Sequence, residues 1–359
     1  MKAAPVIEIV ESADPQSLAR FSEIIDVRTP AEWGEDHVFG SVNLPVLSNE
    51  ERARVGTIYV QDCPHAARRV GAALIARNIA GHLEGPLAGK DRSFSPLIYC
   101  WRGGQRSAAM VSVFSQIGWR VRVLKGGYKA YRRRVVAALY EEAWPLNAVL
   151  LEGPTGSGKT EVLSRLCALG VQTLDLEALA HHRGSLFGAL PGEAQPSQKL
   201  FESRLLAALE ALDPQRPVVI EAESSKVGDL MAPPALWRSM AGAPTIGLNA
   251  PATERAKYLL CAYGDIAADI ERLEDIIQRL PVHLSKDERA AWRELARAGA
   301  LEELARSLLV AHYDPAYQRS MRKAERPRLG TIELTSLTEG ARAGAAEKIA
   351  SMVRDFAAR

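Results

Sequence analysis

The chain has 359 residues, of which 47% are hydrophobic and 25% charged, and its formal net charge is +2. This composition excludes a disordered, collagen-like or disulfide-scaffold class, and the length points to two domains. A nearly neutral balance leaves any nucleic-acid contact to local basic clusters.

The four cysteines, Cys63, Cys100, Cys167 and Cys261, form no CxxC pair. A zinc knuckle is therefore not expected, and a reduced, cytoplasmic protein is. The N-terminal stretch has no long apolar core, so no signal peptide is expected. No apolar run approaches the roughly 20 residues that span a bilayer. No sustained heptad calls for an oligomer, and a monomer is expected.

In chain order, Ile24–Val27 reads as a strand that enters Arg28-Thr29-Pro30. Leu97–Tyr99 is a second strand, ending at Cys100. Ser107–Ile117 has helical spacing, and Val121–Leu124 is a third strand, stopped by Gly126-Gly127. Trp144-Pro145 marks a boundary, after which the α/β pattern restarts. Asn147–Leu151 is a strand and Lys159–Leu169 a helix. Ser197–Leu212 is a helix, followed by strands at Pro217–Glu221 and Thr245–Leu248 and a helix after Pro251. From Ile270 to Leu309 the pattern is amphipathic and helical, broken at Pro281 and Gly299. Thr331–Leu334 is a last strand before a terminal helix. Alternating strands and helices predict parallel sheets in both domains.

The first chemical motif is Tyr99-Cys100-Trp101-Arg102-Gly103-Gly104-Gln105-Arg106-Ser107. A strand delivers Cys100, Gly103 and Gly104 let the chain turn, and a helix follows. Such a turn aims backbone N–H groups at one point beside a helix N-terminus, which favours an anion and lowers a thiol pKa. Cys100 is the candidate nucleophile, and Arg106 can grip an oxyanion. Sulfur carriage, phosphate-ester hydrolysis and arsenate reduction all use this arrangement. Asp26, Arg28, Glu32 and His37 read as a structural turn and salt-bridge network, and Cys63 as a local structural residue.

The second motif, Gly153-Pro154-Thr155-Gly156-Ser157-Gly158-Lys159-Thr160, follows an apolar strand and opens a helix. It fits the phosphate-loop pattern at every fixed position. Gly153, Thr155, Gly156, Ser157 and Gly158 form a backbone cradle, Lys159 supplies charge and Thr160 is a candidate Mg²⁺ ligand. Glu221 and Glu223 are the candidate acidic partners for Mg²⁺; no metal centre is otherwise marked. The pattern establishes a di- or triphosphate and leaves the rest of the ligand open.

The segment Asp26–Trp33 with His37–Pro45 and the Cys100 loop resembles the rhodanese signature. The loop departs from many single-domain rhodaneses by one extra residue between Cys100 and Arg106, which points to a larger, phosphate-bearing donor. A rhodanese-like domain joined to a phosphate loop resembles the bacterial tRNA 2-selenouridine synthases. Glu51–Thr57, Leu124–Lys129 and His312-Tyr313-Asp314-Pro315 add to that resemblance. It implies an N-terminal rhodanese-like parallel-sheet domain at 1–140. A P-loop NTPase-like α/β domain with a helical C-terminal region follows at 145–359.

The activity that the resemblance implies is a transferase acting on the wobble 2-thiouridine of the tRNAs for Lys, Glu and Gln. Geranyl diphosphate geranylates the sulfur, and selenophosphate then supplies selenium through an S-selanylcysteine at Cys100, with Arg106 holding the donor's phosphate. Trp101, Arg102, Gly103 and Gly104 support that loop, and the phosphate loop grips the leaving diphosphate. No tightly bound cofactor is implied beyond Mg²⁺. Lys125, Tyr128, Lys129, Arg132, Arg133 and Arg134 are the tRNA-contact candidates, with base stacking assigned to Tyr128 and Tyr131. The competing readings are an ATP-dependent kinase or ATPase with a rhodanese regulatory domain and a non-catalytic adaptor that binds tRNA or relays sulfur.

Overall fold

The computed structural model describes residues 8–358 except 142–143, 186, 189, 191, 193, 223–224, 265–268, 281–284 and 324–325. The chain forms two compact units: Met1–Glu141 with Ser197–Glu210, and Glu142–Pro196 with Ala211–Arg359.

The first unit is built on five parallel strands: β1 (Glu8–Val10), β2 (Glu23–Asp26), β3 (Val42–Asn43), β4 (Pro96–Tyr99) and β5 (Arg122–Leu124). Their order is β1-β5-β4-β2-β3. Central β4 reads Pro-Leu-Ile-Tyr and is buried throughout, as an unbroken apolar run predicts for a strand covered on both faces. The helix Gln105–Ile117 starts two residues before its expected position and ends at Gly118, whose φ of 100° takes a left-handed C-cap. It sends Met110, Val111 and Phe114 into the core beside Ile25, Val27 and Ile98. Helices Asn49–Gln61 and Pro64–Glu84 had no expected counterpart. Ser48 and Glu51 form a capping box on the first, and Cys63 Sγ caps the second by accepting from the Ala66 N–H at 3.3 Å.

Arg28 is fully buried, and its Nε and Nη2 donors are matched. It is forked onto Asp26 through Nε at 2.9 Å and Nη2 at 2.6 Å, and Nη2 also reaches the Asp36 carbonyl at 2.6 Å. Its guanidinium lies 4.0 Å from the Tyr128 ring centre. The Tyr128 hydroxyl donates to Asp36 Oδ2 at 2.8 Å. One side chain thus ties β2, the turn at Asp36 and the helix Gly127–Val136 together.

The helix Gln198–Glu210, which the sequence places in the second half, packs within the first unit. Its Glu202 accepts from Arg132 and from the Tyr140 hydroxyl, and its Glu210 accepts from Arg134.

The second unit carries β6 (Ala148–Glu152), β7 (Gln172–Leu174), β8 (Val218–Glu221), the short antiparallel pair β9 (Lys226–Val227) and β10 (Leu230–Met231), β11 (Thr245–Asn249) and β12 (Arg328–Glu333). The main sheet is parallel, in the order β12-β11-β6-β8-β7. Its core joins β6, β8 and β11 to the helices Lys159–Ala168 and Glu339–Ala357. The helices Ile270–Arg279, Lys286–Arg297 and Leu301–Leu308 gather a smaller core around Trp292. Gly299, at φ 68°, breaks the last two as expected, and Pro281 lies outside the described residues. Cys100 and the phosphate loop both follow the carboxyl end of a central strand, where parallel sheets place ligands.

Removing the Asp26 carboxylate leaves the Arg28 charge buried and half-matched. Asp26→Ala is expected to cost about 3–5 kcal/mol, read as a lower urea midpoint at unchanged slope.

Candidate active site

Cys100 sits at the carboxyl end of β4 with 3% of its surface exposed, while residues 101–105 are open to solvent. Its Sγ accepts from the Gly104 N–H at 3.2 Å and lies 3.3 Å from Ser107 Oγ. Burial pushes the thiol pKa up. The Ser107 hydroxyl and the N–H groups of Ser107, Arg102 and Gly104 more than offset this, and the net shift is down. Gly103, at φ 75°, makes the turn.

A second strand–turn holds this loop from behind. Tyr128 N–H donates to the Cys100 carbonyl at 2.9 Å, and Lys129 N–H to the Trp101 carbonyl at 3.0 Å. Gly127, at φ 55°, lies so flat on the loop that a Cβ there would collide with the Cys100 carbonyl oxygen. The sequence showed the Gly126-Gly127 pair only as a strand stop. Trp101 is 39% exposed, with its ring 5.2 Å from that of Tyr128, and so is no core residue.

Arg106 is forked onto Glu32, with Nη1 at 2.5 Å and Nη2 at 3.1 Å. Burial raises the Glu32 pKa, and Arg106 more than reverses that, so the carboxylate is held ionised. Both arms of the expected oxyanion grip are thus engaged within the unit. His37 stacks on Trp33 at 4.1 Å, and its Nδ1 lies 2.8 Å from the Trp33 carbonyl oxygen. Asp26, Arg28, Glu32 and His37 form the structural network read from the sequence.

In the second unit the phosphate loop joins β6 to the helix Lys159–Ala168. Gly156 and Gly158 take φ of 79° and 78°. A Cβ on Gly153 would stand 2.5 Å from the Leu248 carbonyl oxygen. Lys159 Nζ donates to the Gly153 carbonyl at 2.9 Å. Ser157 Oγ is buried without a hydrogen-bond partner among the described residues, as a donor kept for an anion would be. Thr160 Oγ1 donates to Glu221 Oε1 at 3.1 Å and approaches Glu177 Oε2 at 3.4 Å.

No cluster of three His, Cys, Asp or Glu side chains suited to a metal occurs among the described residues. The Thr160 hydroxyl beside the Glu221 and Glu177 carboxylates nevertheless fits Mg²⁺, which binds such loops with few protein ligands. Glu177 carried no sequence signal, and Glu223 lies outside the described residues. Buried Arg255 braces the loop. It donates to the Thr155 carbonyl at 3.0 Å and forks onto Asp314 at 2.9 and 2.7 Å. This gives the His312–Pro315 motif a local role.

The loop opens into a cleft of about 560 Å³ that also takes in Glu177, Arg183, Glu221 and Tyr317. Thr155, Ser185, Leu259, Tyr263 and Tyr313 are shared between this cleft and a second, much smaller cavity of about 90 Å³. Beyond those five, the second cavity is walled by carbon, including Leu273, Leu301, Leu304 and Leu308.

Residues 8–134 match the model of the rhodanese-like domain, and 146–275 that of the tRNA 2-selenouridine synthase AAA domain. A tRNA 2-selenouridine synthase of Aeromonas salmonicida is 37% identical over 66% of this chain and 63% of its own length. One from Nitrosomonas europaea is 32% identical over 79% of this chain and 76% of its own. A third, from Pseudomonas syringae pv. syringae, is 32% identical over 84% and 89%. The chain belongs to the tRNA 2-selenouridine synthase family. It spans just under two thirds of the Aeromonas relative and most of the Pseudomonas one. Among solved structures, TT1252 from Thermus thermophilus is 20% identical over 56% of this chain and 94% of its own, with a TM-score of 0.26.

For a member of this family, the expected tRNA-contact run needs correction. Tyr128 and Tyr131 are buried, so neither ring is open to a base. Arg132 and Arg134 are held by Glu202 and Glu210, and Lys125 pairs with Glu11 at 2.7 Å. Lys125 stays exposed despite its surface pair, and Lys129 and Arg133 are exposed one helical turn apart on the helix that also clamps the Cys100 loop. Among the described residues no helix is long and apolar enough to cross a membrane.

The depressed thiol makes a kinetic prediction. Alkylation of Cys100, corrected with a Cys100→Ala control, should show a pH–rate midpoint below that of an ordinary cysteine. Ser107→Ala should move that midpoint upward, because it removes a donor to the thiolate.

Proposed function

We propose that this chain is a tRNA-modifying transferase that converts wobble 2-thiouridine into 2-selenouridine in the tRNAs for Lys, Glu and Gln. The observation that carries the reading is the buried Cys100 sulfur, held by converging donors at the end of β4. The same chain carries a separate phosphate cradle that follows β6.

In the first step the substrate is geranyl diphosphate. Its allylic C–O bond breaks, and the electron pair leaves on the diphosphate. Lys159, the loop N–H groups and Ser157 meet that growing charge. A sulfur lone pair of the thiouridine forms the new C–S bond, and the base loses its N3 proton to water. Bound Mg²⁺, held by Thr160 with Glu221 and Glu177, would supply further charge for the diphosphate.

In the second step selenium from selenophosphate takes the place of the geranylated sulfur. Geranylthiolate leaves C2 with its bonding pair and is protonated. Selenium enters at the oxidation level it had in the donor, and the phosphoryl group goes to water. Cys100 is the residue that handles the selenium donor, and the loop N–H groups face its anionic charge. Lys129 and Arg133 supply phosphate contacts to the tRNA beside this loop.

Thiolated tRNA given both substrates, then digested for nucleoside mass spectrometry, tests the scheme. Cys100→Ser should abolish the selenium product while geranylated nucleoside accumulates. Lys159→Ala should slow geranyl transfer by about 10²-fold or more. Absence of both products from wild-type protein would sink the reading. The arrangement of Thr160 and Glu221 also suits a Mg²⁺–nucleotide, which favours ATP hydrolysis as the second reading. That reading predicts nucleotide turnover lost in Lys159→Ala and no response to geranyl diphosphate. Double replacement of Lys129 and Arg133 by Ala should weaken tRNA binding and reduce its salt slope by about two.

A further inference from the structure

In the first unit, the helical pair Asn49–Gln61 and Pro64–Glu84 leaves a groove beside the reactive loop. The groove holds about 610 Å³ and lies between this pair and the helix Gln105–Ile117. Its apolar lining includes Leu47, Val55, Ile75, Ile79 and Val113. No residue of Asn49–Gln61 is buried, and Tyr59, on the groove wall, is 55% exposed. Packing within the first unit alone therefore does not explain these apolar positions.

The groove begins at the nucleophile. Arg106, Ala109 and Val113 recur at spacings of three and four, so they form one stripe along the helix Gln105–Ile117. The opposite stripe, Ser107, Met110, Val111 and Phe114, is buried. The start of this helix is also where the Gly104 N–H and the Ser107 hydroxyl meet the Cys100 sulfur. From Arg106 to Val113 the stripe rises about 10 Å. That is the reach of an extended geranyl chain.

The charged side chains on the groove are all cationic: Arg52, Arg68 and Arg106. Arg106 is paired with Glu32. Arg52 and Arg68 are exposed, and their guanidiniums have no partner among the described residues. An apolar floor beside unpaired guanidiniums suits a hydrocarbon chain carried by a polyanion. The second step of the proposed scheme brings such a molecule to Cys100. There C2 of the base must come within bonding distance of the selenium, and the geranyl chain hangs from C2 by a single sulfur atom.

We propose that this groove receives the geranyl chain of the modified wobble nucleoside during selenium transfer, while Arg52 and Arg68 meet phosphates of the same tRNA. This rests on the reading of Cys100 as the residue that handles selenium. Seating the chain turns the C2–S bond toward the groove and leaves a face of C2 to the incoming selenium. The C2–Se bond forms and the C2–S bond breaks. The departing thiolate keeps the bonding pair and takes a proton from water.

The test uses anticodon stem-loop RNAs carrying S-geranyl- or S-methyl-2-thiouridine at the wobble position, with selenophosphate and the full chain. The two thiolates are similar leaving groups, so a difference in kcat/KM reads the tail. Wild-type protein should favour the geranyl RNA by at least about tenfold. Ala72→Trp and Ala76→Trp each fill the groove from exposed positions on the helix Pro64–Glu84. Each should lower that preference by about tenfold, chiefly through KM. Neither should change geranyl transfer to thiolated tRNA or the pH midpoint of Cys100 alkylation, which report that both units are intact. Double replacement of Arg52 and Arg68 by Ala should raise KM for both RNAs and reduce its salt slope by about two.

The outcomes separate the two claims. No selenium product from either RNA with wild-type protein overturns the selenium-transfer reading and the groove with it. Selenation of both RNAs without preference overturns the groove alone, as does a preference that survives both Trp variants. Trp variants that impair the two RNAs alike overturn the assignment of the chain to the groove. An unchanged KM and salt slope in the double arginine variant overturns the phosphate contacts.

Discussion

Each unit depends on one buried arginine whose charge must be matched inside the protein. A guanidinium cannot shed its charge inside a protein, so burying it forces the surrounding backbone into fixed positions. Arg28 brings together Asp26, the Asp36 carbonyl and the face of Tyr128. Since Tyr128 N–H holds the Cys100 carbonyl, the position of the reactive loop follows from that arrangement. Arg255 does the same for the phosphate loop, through the carbonyls of Ala250 and Thr155 and the carboxylate of Asp314. Neither arginine faces a reacting group, yet each sets the backbone that does.

The two loops solve one problem in different ways. Both turn sharply from a buried parallel strand into a helix, and both present N–H groups to an anion. At Cys100 the anion is the protein's own sulfur, met by Gly104 and Ser107. After β6 the glycines leave an open cradle, with Lys159 at its edge and Thr160 against the carboxylates of Glu221 and Glu177. The first suits a covalent nucleophile and the second a leaving group that keeps its charge.

Local signals made much of this legible. The apolar runs of β2, β4, β6, β8 and β11 read as strands, because a strand buried on both faces leaves little polar alternation. The two loops declared themselves by short, ordered residue patterns. Features built from distant residues were not legible. The basic run from Lys125 to Arg134 looked like a nucleic-acid surface because Glu202 and Glu210, which hold Arg132 and Arg134, lie 70 and 76 residues further on. The link from Arg255 to Asp314 spans 59 residues. The apolar cavity needs leucines from three separate helices, each of which reads alone as ordinary amphipathic packing. The helical pair at 49–84 was missed because its periodicity is shallow, with few buried residues on either helix.

The placement of Gln198–Glu210 matters for how the chain comes into being. A ribosome releases β6, the phosphate loop and β7 before this helix appears. The first unit therefore cannot close when its last strand is made. It waits until the helix Gln198–Glu210 is made, and meanwhile Arg132, Arg134 and Tyr140 lack the carboxylates that later hold them. Nascent domains generally fold in order from the N-terminus. Here the two units must mature in overlapping time, and the one made first is finished only when the other is already under way.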